Sequence, residues 1–149
     1  MMNRIRILFA ALALGVPAAA MATQQIAVYR DPGCGCCEKW AAQVRAQFGR
    51  QVQLVDDRQR AALQKRLGVP ADLASCHTAI IDGMAFEGHV PIADMKRVLA
   101  QRPRGVSGLA VAGMPLGSPG MEVPGVRGQA YEVIAFGPAG RRMFARHGG

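Results

Sequence analysis

The 149-residue sequence predicts one α/β domain built around a mixed β-sheet. Two features support this prediction. Along residues 25–67, short apolar runs alternate with stretches of helical periodicity, which is the pattern of a strand–helix–strand–helix unit with parallel strands. Further on, a β-branched run at 78–81 is followed by Asp82-Gly83, a strong signal for a β-hairpin and therefore for antiparallel strands.

The first unit contains two strands and two helices. Trp40, Val44 and Phe48 recur at the spacing of one helical face and mark the buried stripe of the first helix. Gly49 and Gly68 stand where the two helices should end, because glycine readily adopts the left-handed conformation that closes a helix. The predicted bounds are 25–29 and 52–55 for the strands and 36–48 and 58–67 for the helices.

The second unit is the hairpin and a third helix. Residues 84–90 return as the second arm, and Pro91 suits the first turn of a helix with an apolar stripe. The order βαβα-ββα is that of a thioredoxin-like domain, in which the tetrapeptide 34–37 takes the place of the Cys-x-x-Cys motif of that fold. Beyond residue 103 we expect a Gly/Pro/Met-rich C-terminal extension with one more strand, 131–136, at an edge of the sheet.

The first 22 residues predict a secretory signal peptide. Arg4 and Arg6 precede an apolar run at 7–16, which is shorter than the roughly 20 residues that span a membrane. Ala20 and Ala22 suit cleavage after Ala22, with cleavage after Ala20 or a retained anchor as alternatives. We therefore expect a periplasmic mature protein that has no further membrane span.

Charge and aromatic content weigh against nucleic acid as a partner. The net charge is +8, and removing the two arginines of the leader leaves +6 for the mature chain. Three more arginines lie within 141–149, which we expect to be a frayed basic tail behind the domain at 23–140. Aromatic residues make up only 5% of the sequence and are not interleaved with basic ones, so a solvated basic surface is the simpler interpretation.

Three of the four cysteines, Cys34, Cys36 and Cys37, lie in one tetrapeptide between the first strand and the first helix. At a helix start, the backbone N–H groups and the helix dipole favour thiolate over thiol. Soft thiolates select Cu(I), zinc or iron–sulfur clusters. An exported protein could use these cysteines for dithiol redox chemistry or as structural disulfides instead, but two ordinary disulfides would not place three cysteines in one tetrapeptide. A copper site is therefore the favoured hypothesis.

The fourth cysteine, Cys76, is next to His77 and directly precedes the predicted strand at 78–81. In a thioredoxin-like fold this junction faces the Cys-x-x-Cys loop, so a thiolate and an imidazole would complete the cluster there. The alternative is that Cys76 is a small buried hydrophobe and His77 a capping side chain.

Three residues further along the chain are additional candidates. His89 could ligate a metal, orient a ligand, or be a hydrogen-bonded histidine at a strand end. The thioethers of Met114 and Met121 suit Cu(I) but could equally fill gaps against the domain. His147, in the expected tail, is interpreted as inert. The carboxylates near the site are expected to be solvated or to cap helices: Asp31, Glu38 and Glu87.

These stretches together resemble the CopG-type family of small periplasmic copper-resistance proteins, long catalogued as a domain of unknown function. The resemblance covers nearly the whole mature chain. It implies a thioredoxin-like fold whose cysteines bind copper as a cysteine-bridged multi-copper cluster, and a role in copper tolerance that interconverts Cu(I) and Cu(II) before export. The matching segments are 29–40, 67–70, 73–79, 87–91 and 113–121.

The sequence therefore predicts an exported copper-binding protein whose partners are copper ions and periplasmic copper-export or chaperone proteins. The predicted thiolate ligands are Cys34, Cys36, Cys37 and Cys76, and His77 is their imidazole partner. Two alternatives stay open. One is a thiol–disulfide oxidoreductase that uses Cys34 and Cys37. The other is a structural zinc site of three cysteines and one histidine.

Overall fold

The computed structural model describes residues 25–148, and the predicted signal peptide at 1–22 lies outside them. Seven strands form one mixed sheet in the described part of the chain, and three α-helices accompany it, which confirms the predicted α/β class. In chain order the elements are β1 (Ile26–Arg30), α1 (Gly35–Phe48), β2 (Val52–Asp56), α2 (Arg60–Leu67), a 3₁₀ turn (Ala71–Leu73), β3 (His77–Ile81), β4 (Met84–Glu87), α3 (Ile92–Gln101), β5 (Gly108–Ala110), β6 (Tyr131–Gly137) and β7 (Gly140–His147).

The strands lie in the order β2-β1-β3-β4-β5-β6-β7. Strands β1 and β2 are parallel and joined by α1, as the sequence predicts, and β3 and β4 form the predicted antiparallel hairpin. At the hairpin turn Asp82 and Gly83 both have positive φ, 49° and 80°. This is the backbone of a type I′ turn, whose twist matches that of the flanking strands.

The core lies on both faces of the sheet. One face packs against the predicted stripe of α1 and against α3, with Trp40 and Val44 fully buried and Phe48 at the margin. The indole N–H of Trp40 donates a hydrogen bond to the Val90 carbonyl oxygen at 3.0 Å, so this large side chain is buried without an unpaired donor. The opposite face is covered by a smaller cluster that includes Leu73 of the 3₁₀ turn.

The C-terminal part of the chain corrects two expectations. The strand predicted at 131–136 is β6, which lies between β5 and β7 rather than at an edge. The residues expected to form a frayed basic tail, 141–149, instead fall largely in β7, the edge strand of the sheet. Charged residues are common on edge strands because they discourage pairing with other chains, so three arginines there hid the strand signal. No helix among residues 25–148 is long and apolar enough to cross a membrane.

Strand β7 is fastened to α3 by a buried carboxylate. Asp94, which is 4% exposed, contacts His147 Nε2 at 2.6 Å and Arg97 Nη2 at 3.0 Å. The His147 ring also stacks on Tyr131, with 5.5 Å between ring centroids. His147 therefore makes a structural contact between β7 and α3, and the expectation that this residue lies in a frayed tail was wrong.

We expect Asp94→Asn to lower the free energy of unfolding by about 1–3 kcal/mol, because an amide cannot accept hydrogen bonds from both His147 and Arg97 through two oxygens. Urea denaturation measures this change. The control is Asp82→Asn, which breaks an exposed ion pair with Arg50 and should cost at most about 1 kcal/mol. Equal losses in the two variants would contradict the prediction.

Candidate metal centre

The cysteine tetrapeptide occupies the turn from β1 into α1. Cys34 is the N-cap of the helix, and its sulfur accepts the N–H of Cys37 at 3.3 Å. The N–H of Cys34 donates to the Asp31 carbonyl oxygen at 3.2 Å and closes the turn, in which Gly33 has a φ of 72°. Cys36 and Cys37 thus lie in the first turn of α1, where the helix dipole stabilises negative charge on sulfur.

The pairing of β1 with β3 brings the second half of the site to this turn. Arg30 lies opposite His77 in the antiparallel register, and the N–H of Asp31 donates to the Cys76 carbonyl oxygen at 3.0 Å. The Cys76 sulfur is 3.5 Å from that of Cys37. The structure therefore places the Cys-His pair beside the tetrapeptide, on the same side of the molecule.

The four sulfur atoms form one group. All of them lie within 4.8 Å of one another, and the Sγ atoms of Cys36 and Cys76 are 4.0 Å apart. Cys34 and Cys37 are joined by a disulfide bond, while Cys36 and Cys76 are free thiols. In this form two of the four sulfurs cannot act as thiolate ligands, so the whole group becomes available to a metal only after the disulfide is reduced.

Two imidazoles extend the group inward from Cys76. The Cys76 sulfur is 3.2 Å from His89 Nε2 and 3.6 Å from His77 Nδ1, and both rings are fully buried. His89 Nδ1 is 2.8 Å from the Pro119 carbonyl oxygen, which can only accept, so Nδ1 carries the proton. The neutral ring then presents the Nε2 lone pair towards Cys76, the orientation of a metal-binding histidine.

His77 contains a buried polar atom that lacks a partner. Its Nε2 makes no hydrogen bond within the described part of the chain, and its ring packs on Trp40 with 4.4 Å between centroids. Burial, followed by the charges of His89 and Arg60, holds the pKa of His77 well below its usual value. Burial likewise lowers the pKa of His89. Both rings are therefore neutral at neutral pH, the form that binds metals.

Burial has the opposite effect on the Cys76 thiol. Loss of hydration, followed by the negative charge of Cys36, raises the pKa of Cys76 to about 12. The metal-free protein therefore keeps Cys76 protonated, and a metal ion that binds there must displace this proton.

The Gly/Pro-rich loop 113–121 reaches the site through its backbone. The Ser75 hydroxyl donates to the Gly113 carbonyl oxygen, and Pro119 accepts the hydrogen bond from His89. Gly120 packs so closely on α1 that a Cβ atom there would lie 2.7 Å from the Cys36 carbonyl oxygen. Of the two predicted methionine ligands, Met114 is 53% exposed and Met121 is half-buried.

Of the three carboxylates expected to be solvated or capping, Asp31 and Glu38 are exposed, and the expectation was wrong only for Glu87. Glu87 is completely buried rather than solvated, and it is paired with the buried Arg60. Asp31 also pairs with Arg60, and Glu38 pairs with Arg30. The available signal was the position of Glu87 directly after the apolar run at 84–86, because a charged residue in a buried strand normally has a partner.

The fold and the site define a mixed α/β protein with a cluster of four cysteine sulfurs and two neutral histidines, a donor set that suits a soft metal ion. Residues 73–121 match a family described as a protein of unknown function, DUF411. No protein with a curated description matches the sequence.

Two solved structures are similar over most of the chain. Both are described as copper resistance protein CopG, as Form 1 and Form 2, and both are 41% identical to this chain. Form 1 superposes with a TM-score of 0.76 and covers 84% of this chain and 98% of its own; Form 2 gives 0.75, 83% and 97%. The chain belongs to the CopG family of copper resistance proteins.

The free thiols should differ strongly in reactivity. In the metal-free protein with its disulfide intact, we expect iodoacetamide at mildly alkaline pH to modify Cys36 before Cys76. Cys76 is only 7% exposed, and its raised pKa leaves little of the reactive thiolate. Peptide mass spectrometry of timed samples measures the two rates. In guanidinium the rates should converge, and native Cys76 reacting as fast as Cys36 would contradict the prediction.

Proposed function

We propose that this chain is a periplasmic copper-binding protein of copper resistance that holds Cu(I) at its cysteine–histidine cluster. The observation that supports this most directly is the donor set: four sulfurs within 4.8 Å of one another, joined through Cys76 to two neutral imidazoles. Thiolate and imidazole ligands bind soft Cu(I) in preference to hard cations. Membership of the CopG family, whose two solved relatives are described as copper resistance proteins, supports copper as the metal.

Cys76 supports a cluster of more than one ion. It belongs both to the four-cysteine group and to the group with His77 and His89, which supports the proposal that its sulfur would be shared by two ions. The unpartnered Nε2 of His77 fits this proposal, since a buried polar atom without a partner is costly unless a ligand satisfies it. Met114 and Met121 are proposed as thioether ligands from the extension.

We also propose a thioredoxin-like fold and a periplasmic location. Two arrangements are those expected of a thioredoxin-like domain. One is the strand order β2-β1-β3-β4 with α1 after β1, and the other is a Cys-x-x-Cys disulfide at the start of α1. The apolar segment and small residues at 1–22 support export through a cleaved signal peptide. A periplasmic copper-export or chaperone protein would be the partner in copper transfer.

Loading of the full cluster requires reduction. A dithiol reductant gives two electrons and two protons to the Cys34–Cys37 bond, which yields two thiols and an oxidised dithiol. Each thiol then loses its proton as Cu(I) binds to the thiolate. Cys34 and Cys36 are half-buried whereas Cys37 and Cys76 are buried, so an incoming ion meets the outer pair first. Interconversion of Cu(I) and Cu(II) is the redox activity that we propose for the bound metal, with one electron per ion passing to an external one-electron acceptor on oxidation and coming from an external donor on reduction.

We expect the anaerobically reduced protein to bind at least one tightly held Cu(I) per chain, and the disulfide-bonded protein to bind fewer ions. Cys36→Ser should lower the copper count because it removes a thiolate from the group. Metal analysis after desalting gives the count, and X-ray absorption reports sulfur and nitrogen ligands. Met143→Leu, on edge strand β7, is the matched control and should bind as wild type does. Less than one copper per reduced chain, or zinc retained over equimolar copper, would contradict the proposal.

A thiol–disulfide oxidoreductase is the second candidate, because the Cys34–Cys37 disulfide lies at a helix N-terminus where a thiolate is stabilised. If copper binding is the function, metal-free reduced protein should reduce insulin little faster than free dithiol does. Turbidity of insulin measures this rate, with Cys34→Ser as the control that cannot form the bond. Rapid turnover that is lost in Cys34→Ser would favour the oxidoreductase.

A further inference from the structure

A buried carboxylate lies directly behind the proposed metal centre. Glu87 ends β4 with its side chain completely buried. Its Oε1 accepts hydrogen bonds from the Ser75 N–H and Gln64 Nε2, each at 2.7 Å, and from Arg60 Nη1 at 3.3 Å. Its Oε2 accepts from the Thr78 hydroxyl at 2.5 Å. Four donors thus occupy both oxygens, which leaves Glu87 as a support for other groups rather than a ligand.

The partners of Glu87 flank the Cys76-His77 pair. Ser75 precedes Cys76, and Thr78 follows His77, so a single carboxylate fixes the chain on both sides of the two proposed ligands. Strand pairing adds to this constraint, because Thr78 and Glu87 lie opposite each other in the β3–β4 register.

A second set of contacts connects Glu87 to the cysteine turn. Arg60 contacts Glu87 through Nη1 and the Asp31 carboxylate through Nη2, the latter at 2.8 Å. The Asp31 backbone accepts the N–H of Cys34 and donates to the Cys76 carbonyl. Glu87 and Arg60 therefore join the two halves of the cluster, which are 40 residues apart in sequence between Cys36 and Cys76.

We propose that Glu87 is a positioning residue of the metal centre, which fixes Cys76 and His77 against the cysteine turn in the geometry that a shared metal ion requires. This inference rests on the proposed function of the cluster. Groups that hydrogen-bond behind metal ligands typically change metal affinity by about 10–100-fold. Glu87 acts one step further back, through the backbone and side chains next to the ligands.

The test compares three substitutions of Glu87 in the reduced full-length protein with Cu(I) as the probe. Glu87→Ala removes every acceptor and should weaken Cu(I) affinity by about tenfold or more, with altered Cu–S distances in X-ray absorption. Glu87→Gln should regain most of the affinity, because its oxygen can accept from Ser75 and its amide can donate to the Thr78 hydroxyl. Competition with a chromophoric Cu(I) chelator measures the affinities, and far-UV circular dichroism checks folding.

Two further variants make the result decisive. Asp94→Asn removes another buried carboxylate, which lies outside the centre, and it should lower stability while leaving Cu(I) affinity and the X-ray absorption spectrum unchanged. If Glu87→Ala does not fold, Glu87→Asp carries the test, since the shorter side chain cannot reach all four donors and should weaken binding in a folded protein.

The positioning role would be overturned if folded Glu87→Ala or Glu87→Asp protein had the Cu(I) affinity and the spectrum of wild type. It would also be overturned if Asp94→Asn lost as much affinity as Glu87→Ala, or if Glu87→Gln bound Cu(I) as weakly as Glu87→Ala does. A wild-type protein that binds no Cu(I) would contradict the proposed function itself, which separates the two failures.

Discussion

The antiparallel pairing of β1 with β3 is the constraint on which the site depends. It sets Arg30 opposite His77 and allows the Asp31 N–H to bond to the Cys76 carbonyl oxygen. Two segments distant in sequence therefore meet through backbone hydrogen bonds between neighbouring strands. Because the sheet and its core fix these strands, folding itself assembles the donor atoms. Metal binding therefore does not have to offset the entropy cost of bringing them together.

Burial then determines the chemical state of those donors. The same loss of hydration that keeps His77 and His89 neutral also keeps the Cys76 thiol protonated. Each neutral imidazole therefore has a lone pair available for a metal ion, whereas the thiol must lose its proton before its sulfur can bind one as a thiolate. The carboxylate nearby follows the same rule: burial raises the pKa of Glu87, while the hydrogen bonds that it accepts, Thr78 first among them, work in the opposite direction.

Local signals explain which parts of this architecture could be predicted from the sequence. The stripe of α1, the Asp82-Gly83 turn and the position of the cysteines at a helix start each depend on residues close together in the chain. Strand β7 could not be found that way, and the apolar run before Glu87 could indicate its burial but not the residues that pair with it. An edge strand rich in arginine resembles a solvated tail until its partner strand is known, and a carboxylate resembles a surface group until the four donors around it are in place.

The Gly/Pro-rich loop 113–121 of the C-terminal extension contacts both the segment before Cys76 and the buried His89. This loop is attached at Gly113 through the Ser75 hydroxyl and at Pro119 through His89, so it contacts residues next to or within the proposed ligand set. The Pro119 contact fixes the proton on His89 Nδ1, and with it the nitrogen that faces Cys76. A change in the loop would therefore reach the buried donors through one hydrogen bond. In this sense the segment beyond the hairpin is part of the centre, and the half-buried Cys34 and Cys36 are where that centre meets solvent.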